Sequence, residues 1–123
     1  MCTVLVISDD YVTKEKIGKV LEGMQLPAVV AATEFEVTRA CISRRPGIVI
    51  ADIETTGGVG FESIATARRL AREAYIIAVS RNREEPRWAK VAEACGADEY
   101  IPGRLSLAAL ISGIETCNGS DRD

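Results

Sequence analysis

The sequence has no histidine and no closely spaced cysteine pair, and these absences exclude several kinds of site. Without histidine there is no Ser-His-Asp or Cys-His catalytic arrangement and no mixed cysteine–histidine zinc site. The four cysteines, Cys2, Cys41, Cys95 and Cys117, lie far apart and form no C-x-x-C motif. Separated cysteines with apolar neighbours are typical of reduced thiols, so we expect a cytoplasmic location.

Long apolar runs and blocks of one charge are also missing. No run approaches the roughly 18 residues that span a membrane, and the first one, at 4–7, has no basic region before it like that of a signal peptide. The chain carries 15 basic and 18 acidic residues, a net charge of −3. It has no cluster of the basic residues that nucleic-acid binding requires. We therefore expect neither a membrane nor a nucleic acid as partner.

The remaining composition predicts one globular domain, since 123 residues with 47% hydrophobic content suit a single core. Short β-branched runs predict strands at 4–7, 29–32, 47–51, 75–79 and 99–101. Apolar residues at helical spacing predict helices around 17–24, 33–45, 61–71, 86–95 and 106–114. We place the domain at 1–117, with a polar, frayed tail at 118–123.

Local signals mark several ends of these elements. Thr33 and Glu36 have capping-box spacing, Ser106 suits a helix start, and Gly96 suits a helix stop. The adjacent arginine pairs at 44–45 and 68–69 are predicted to lie on solvated helix faces.

Five β-α units in succession predict a parallel sheet with helices on both faces. Ligands of such sheets bind beyond the carboxyl ends of the strands. The polar residues at those ends are Ser8, Asp9, Asp10, Asp52, Glu54, Ser80, Arg81 and Arg104. Carboxylates from two strands suit a hard cation such as Mg²⁺, and a hydroxyl at Ser80 can donate into the same site. Neither glycine-rich phosphate-binding motif is present, so a backbone phosphate cradle is unsupported.

Four segments, in this order, resemble the receiver domain of two-component response regulators. They are the strand and acidic cluster at 4–10, the loop and helix start at 52–62, the strand ending in a hydroxyl at 76–80, and Gly-Ala-Asp with the short strand at 96–101. The resemblance spans nearly the whole chain. It implies a flavodoxin-like, doubly wound (βα)5 fold with strand order 2-1-3-4-5.

The resemblance also implies roles for individual residues. Asp52 is expected to accept a phosphoryl group from a histidine kinase or a histidine phosphotransfer protein. Asp9, Asp52 and the backbone carbonyl of Glu54 are expected to hold Mg²⁺, and Ser80 to bind the phosphoryl oxygens. Tyr100 matches the aromatic residue that moves after phosphorylation, although packing within its strand is the simpler role. Beyond its own phosphorylation and slow dephosphorylation, no enzyme activity is implied.

We expect a stand-alone receiver without an output domain. It is expected to signal to an effector protein through the face of the fourth helix, fifth strand and fifth helix. The same face can support a homodimer. Two alternatives stay open. One is a degenerate receiver that binds partners without phosphorylation. The other is a haloacid-dehalogenase-like phosphatase, which the Asp-x-Glu-x-Thr order at 52–56 loosely resembles, although the chain is short for that family.

Three positions depart from the receiver pattern. Ser8 replaces one of two acids after the first strand, which leaves Asp9 as the matched metal ligand and favours helix capping for Asp10. Gly103-Arg104 replaces a Lys-Pro pair whose lysine contacts the phosphoryl group. Arg81 replaces a small residue. Arg81 either slows the attack of water on the phosphoryl group or supplies the missing cation, and Arg104 is a second candidate for that cation.

Overall fold

The computed structural model describes residues 2–55, 60–81, 86–102 and 106–120, apart from the side chains of residues 86 and 118–120. Strands and helices alternate along the described chain in ten elements: β1 (Val4–Ile7), α1 (Tyr11–Gly23), β2 (Ala28–Ala31), α2 (Glu34–Arg44), β3 (Ile48–Asp52), α3 (Gly60–Leu70), β4 (Tyr75–Val79), α4 (Pro86–Cys95), β5 (Glu99–Ile101) and α5 (Leu107–Ser120). The strands form one parallel sheet in the order β2-β1-β3-β4-β5, which confirms the predicted fold.

The three central strands are buried on both faces, which explains their uninterrupted apolar sequences. Because side chains alternate along a strand, Leu5 and Ile7 of β1 point into the core under α2, α3 and α4. Val4 and Val6 point into the opposite core, under α1 and α5. This layering leaves the carboxyl ends of β1, β3 and β4 side by side at one edge of the sheet.

The predicted helix caps are present. Asp10 caps α1, and its carboxylate accepts the backbone N–H of Thr13 at 2.9 Å and the hydroxyl of Thr13 at 2.7 Å. Thr33 and Glu36 form the predicted capping box of α2. Ser106 accepts a backbone N–H from the first turn of α5 at 3.2 Å. These bonds satisfy N–H groups that have no partner within a helix.

The prediction of a solvated face is wrong for Arg68, which is half-buried. Its guanidinium donates to Asp98 at 2.7 Å and to the carbonyl oxygens of Gly96 at 2.9 Å and Ala74 at 3.0 Å. Asp98 also accepts the backbone N–H of Ile76 at 2.9 Å. Arg68 therefore joins α3 to the start of β4 and to the turn before β5.

That turn requires glycine at position 96. Gly96 has φ +120°, and a Cβ there would lie 2.7 Å from the side chain of Arg68. We expect Gly96→Ala to lower the free energy of unfolding by about 1–3 kcal/mol, because both backbone and packing are strained. Gly18→Ala is the matched control, since Gly18 lies within α1 with open space around it. That change should stabilise the protein by about 0.5–1 kcal/mol. Urea unfolding measures both, and equal effects would contradict this account of the turn.

Tyr75 and Glu99 join β4 to β5 at the amino ends of the strands. The Tyr75 hydroxyl donates to Glu99 at 2.8 Å. Burial, together with the hydrogen bond and the charge of Glu99, raises the pKa of Tyr75 to about 12. The neutral phenol is thus the form that the fold favours.

This pKa shift predicts a loss of stability in strong alkali. The contribution is fully present below the unfolded pKa of Tyr75, 10.0, and is lost as the pH rises through about 12. In Glu99→Gln we expect the Tyr75 pKa to fall but to stay above 10, because burial remains the largest cause. NMR titration of ring-labelled tyrosine measures it, and an unchanged pKa in Glu99→Gln would contradict the role of the carboxylate.

The four cysteines are free thiols, as expected from their separation in the sequence.

The backbone of α5 continues to Ser120, inside the segment assigned to a tail, so the domain boundary at 117 stays a prediction. Within the described ranges, the helices are too short or too polar to cross a membrane.

Candidate functional site

The site lies at the carboxyl edge of the sheet, where β1, β3 and β4 end together. Asp52 is the last residue of β3 and pairs in register with Val79, so Ser80 follows on the neighbouring strand. Ser8 follows β1 on the other side of β3. Ser8, Asp52 and Ser80 are all fully buried. The parallel register is what brings these groups to one edge.

The Asp52 carboxylate is held on both oxygens. Oδ1 accepts the backbone N–H of Glu54 at 2.9 Å, and Oδ2 accepts the Ser8 hydroxyl at 2.9 Å. Oδ2 also lies 3.0 Å from Nε of Arg81, in an ion pair. Burial raises the pKa of Asp52, whereas the bonds from Glu54 and Ser8 and the charge of Arg81 oppose that shift. The surrounding donors therefore stabilise a carboxylate that burial alone would disfavour.

Ser8 has a role that the sequence did not reveal. Its position predicted only the loss of an acidic metal ligand. In the structure its hydroxyl donates to Asp52 and accepts the backbone N–H of Asp10 at 3.1 Å. Ser8 thus connects the start of α1 to the carboxylate at the end of β3.

Arg81 reaches the same carboxylate from the end of β4. Its Nε atom makes the contact with Asp52 described above. Its Nη2 atom donates to the backbone carbonyl of Glu54, and its Nη1 atom lies 3.4 Å from Oδ1 of Asp10. Only 20% of the Arg81 side chain is exposed. Of the two roles left open for Arg81, its contacts favour that of a cation beside the carboxylate of Asp52.

Glu54 fixes the position of Arg81 through its side chain. Oε2 of Glu54 accepts the Ser80 hydroxyl at 3.1 Å and also accepts the backbone N–H of Arg81. The loop after β3 is therefore bound to the end of β4. Ser80 contributes to the site through Glu54, and its predicted bond to a phosphoryl group stays a prediction.

The remaining predicted site residues are Asp9, Tyr100 and Arg104. Asp9 is half-buried, and its role as a metal ligand stays a prediction. Tyr100 is half-buried in β5 and packs against the core beneath α2, α3 and α4, which fits the simpler of its two roles. Gly103 and Arg104 lie outside the described residues.

The residues present do not fit a divalent cation in this arrangement. Two of the three predicted ligand groups, the Asp52 carboxylate and the Glu54 carbonyl, face the Arg81 guanidinium. In the described part of the chain, no group of three or more aspartate, glutamate or cysteine side chains is placed to hold a metal ion. Magnesium binding by Asp9, Asp52 and Glu54 stays a prediction.

Comparison with known proteins gives the class of this protein. The model of the response regulator receiver domain family matches residues 4–115. The chain therefore belongs to that family, which is a family of signalling domains and not of classical enzymes, so the phosphatase alternative is set aside. No curated protein sequence matches the chain significantly.

Solved structures support the same fold. A two-component response regulator from Clostridium difficile is 18% identical, with a TM-score of 0.88, and the match covers 100% of both chains. A CheY-like receiver domain protein from Methanospirillum hungatei JF-1 is 20% identical, with a TM-score of 0.85, covering 99% of this chain and 98% of that one. A response regulator from Burkholderia pseudomallei, solved with a phosphorylated aspartic acid, a calcium ion and citrate, is 18% identical with a TM-score of 0.79, covering 99% of this chain and 71% of that one.

The bond from Ser8 to Asp52 should contribute to stability. We expect Ser8→Ala to lower the free energy of unfolding by about 1.5–3 kcal/mol, because a buried carboxylate loses a donor. Ser43→Ala is the matched control, since Ser43 is exposed on α2 and donates to the carbonyl of Arg39 in the same helix. It should change stability by less than about 0.5 kcal/mol. Urea unfolding at neutral pH compares the two, and a similar small effect of both changes would contradict the importance of the Ser8 bond.

Proposed function

We propose that this receiver accepts a phosphoryl group on Asp52 and signals by contact with other proteins. The observation that carries the proposal is the position of Asp52, at the end of the central strand β3 and surrounded by donors from β1, β4 and the following loop. The Burkholderia pseudomallei response regulator, which has the same fold and contains a phosphorylated aspartic acid, supports the proposal of this chemistry.

The proposed donor is a phosphohistidine of a histidine kinase or a histidine phosphotransfer protein. One oxygen of the Asp52 carboxylate attacks phosphorus while the bond from phosphorus to the imidazole nitrogen breaks. The imidazole leaves with the electron pair of that bond and takes a proton, and Asp52 becomes an acyl phosphate. Such transfer depends mainly on positioning and charge stabilisation, which Ser8, Ser80 and Arg81 can provide. No step is assigned to Mg²⁺, since Arg81 faces two of its predicted ligand groups.

Phosphorylation would change the charge at the end of β3. A phosphoryl group adds roughly −1.5 to −2 charge at neutral pH, which competes with Asp10 and Glu54 for the Arg81 guanidinium. Arg81 and Ser80 follow β4 directly, and α4 is the next element along the chain. This supports an output surface on α4, β5 and α5.

The α4-β5-α5 face is the proposed contact surface for an effector protein or a second copy of the chain. Val91 of α4 is 40% exposed and Leu107 of α5 is 38% exposed, so these two helices expose apolar side chains to which a partner can bind. Receiver domains generally interact with histidine kinases and effectors. The identity of both partners, and a cytoplasmic location, stay predictions.

A second candidate is a receiver that binds partners without being phosphorylated. The specific observation in its favour is that both oxygens of the buried Asp52 already have protein donors. An incoming phosphoryl group must therefore approach an oxygen that already accepts a hydrogen bond or faces a cation. In this candidate the group of Ser8, Asp52 and Arg81 is a structural element only.

Labelling with acetyl phosphate separates the two candidates. We expect the unchanged chain to gain one phosphate slowly and Asp52→Asn to gain none, because the amide cannot act as the nucleophile. Intact-mass spectrometry measures the product. Glu73→Gln, which removes an exposed carboxylate after α3, is the control and should label at the unchanged rate. Absence of any label under forcing conditions would favour the unphosphorylated candidate, and labelling of Asp52→Asn would overturn the assignment of Asp52.

A further inference from the structure

The three nitrogens of the Arg81 guanidinium each face an oxygen atom from a different part of the chain. Nε lies 3.0 Å from the carboxylate of Asp52, at the end of β3. Nη2 donates to the backbone carbonyl of Glu54, in the loop after β3. Nη1 lies 3.4 Å from the carboxylate of Asp10, at the start of α1. Two carboxylates and one backbone carbonyl are the oxygen ligands that a hard divalent cation takes in proteins.

We propose that the Arg81 guanidinium takes the place of the divalent cation at this site, so that the protein holds its acceptor carboxylate without Mg²⁺. The inference builds on the assignment of Asp52 as acceptor and goes beyond it, because it concerns the source of the positive charge. The proposal rests on the position of the Arg81 guanidinium beside Asp52, the Glu54 carbonyl and Asp10.

The chain holds Arg81 at this position from both ends of the residue. Its backbone N–H donates to the side chain of Glu54, while its guanidinium donates to the backbone carbonyl of the same residue. Glu54 is further bound to Ser80 at 3.1 Å. The side chain is therefore fixed at its base and at its tip. Because it is already ordered in the folded protein, little further conformational entropy is lost when it compensates the charge of Asp52.

Two properties of arginine suit it to take the place of a cation. Its guanidinium stays protonated throughout the physiological pH range, and its planar donors suit contacts with several oxygens at once. A divalent ion placed among the same oxygens would meet a like charge and would lack the ligands that Arg81 occupies. The unchanged chain should therefore bind Mg²⁺ or Mn²⁺ weakly at this site.

Titration with MnCl₂, followed by electron paramagnetic resonance of the free ion, tests the proposal. We expect the unchanged chain to show no binding that depends on Asp52. We expect Arg81→Ser to tighten Mn²⁺ binding by about tenfold or more, because a like charge is removed and the oxygens become available. Arg69→Ser removes the same charge from an exposed position on α3 and should leave Mn²⁺ binding unchanged. Circular dichroism checks that each variant is folded.

A double variant locates the gained ion. Adding Asp52→Asn to Arg81→Ser should abolish the gain if the ion binds at the acceptor carboxylate. The proposal is overturned if the unchanged chain binds Mn²⁺ as tightly as Arg81→Ser, or if binding by the unchanged chain disappears in Asp52→Asn. If Arg81→Ser does not fold, that second comparison, which needs only the unchanged chain and Asp52→Asn, decides the matter.

The rate of labelling by acetyl phosphate gives an independent readout. We expect the rate for the unchanged chain to be the same in EDTA and in MgCl₂, and a rate that requires MgCl₂ would overturn the proposal. If the chain is not labelled under either condition, the phosphoacceptor function fails while the Mn²⁺ titration still tests the role of Arg81. The two hypotheses can thus fail separately.

Discussion

A carboxylate that is fully buried must have its negative charge compensated by nearby donors, and this requirement organises the site around Asp52. Burial raises the pKa of Asp52, and the fold opposes that shift with a hydroxyl from Ser8, a backbone N–H from Glu54 and the charge of Arg81. Each donor comes from a different segment, so the charge can be accommodated only when the segments are in place together. The negative charge of Asp52 is therefore compensated only when β1, β3 and β4 are paired as observed.

The same group of contacts links the local structure of α1 to the site. Asp10 caps α1 through Thr13 and also lies within ion-pair distance of Arg81. Hydrogen bonding from Thr13 is the largest cause of the lowered pKa of Asp10. Because Ser8 accepts the backbone N–H of Asp10, the first turn of α1 is positioned by the residues that surround Asp52. Helix capping and charge compensation thus depend on one short segment after β1.

Much of the fold could be predicted from the sequence because its signals are local or periodic. Continuous β-branched runs and helical apolar spacing located the strands and helices, and Thr33 with Glu36 located a cap. Roles that depend on long side chains were harder to predict. Arg68 and Arg81 each have several torsions, and their acceptors come from segments distant in sequence. Spacing alone does not reveal whether such an arginine points to solvent or into a group of oxygens.

The positive charge of Arg81 belongs to the chain itself and cannot dissociate from the site as a bound ion can. A dissociable ion obeys mass action, so its occupancy follows the amount free in solution. A guanidinium fixed by covalent bonds has an effective concentration set by chain geometry, and chelators cannot withdraw it. On the proposal that Arg81 replaces the ion, the positive charge beside Asp52 is the same at every concentration of Mg²⁺.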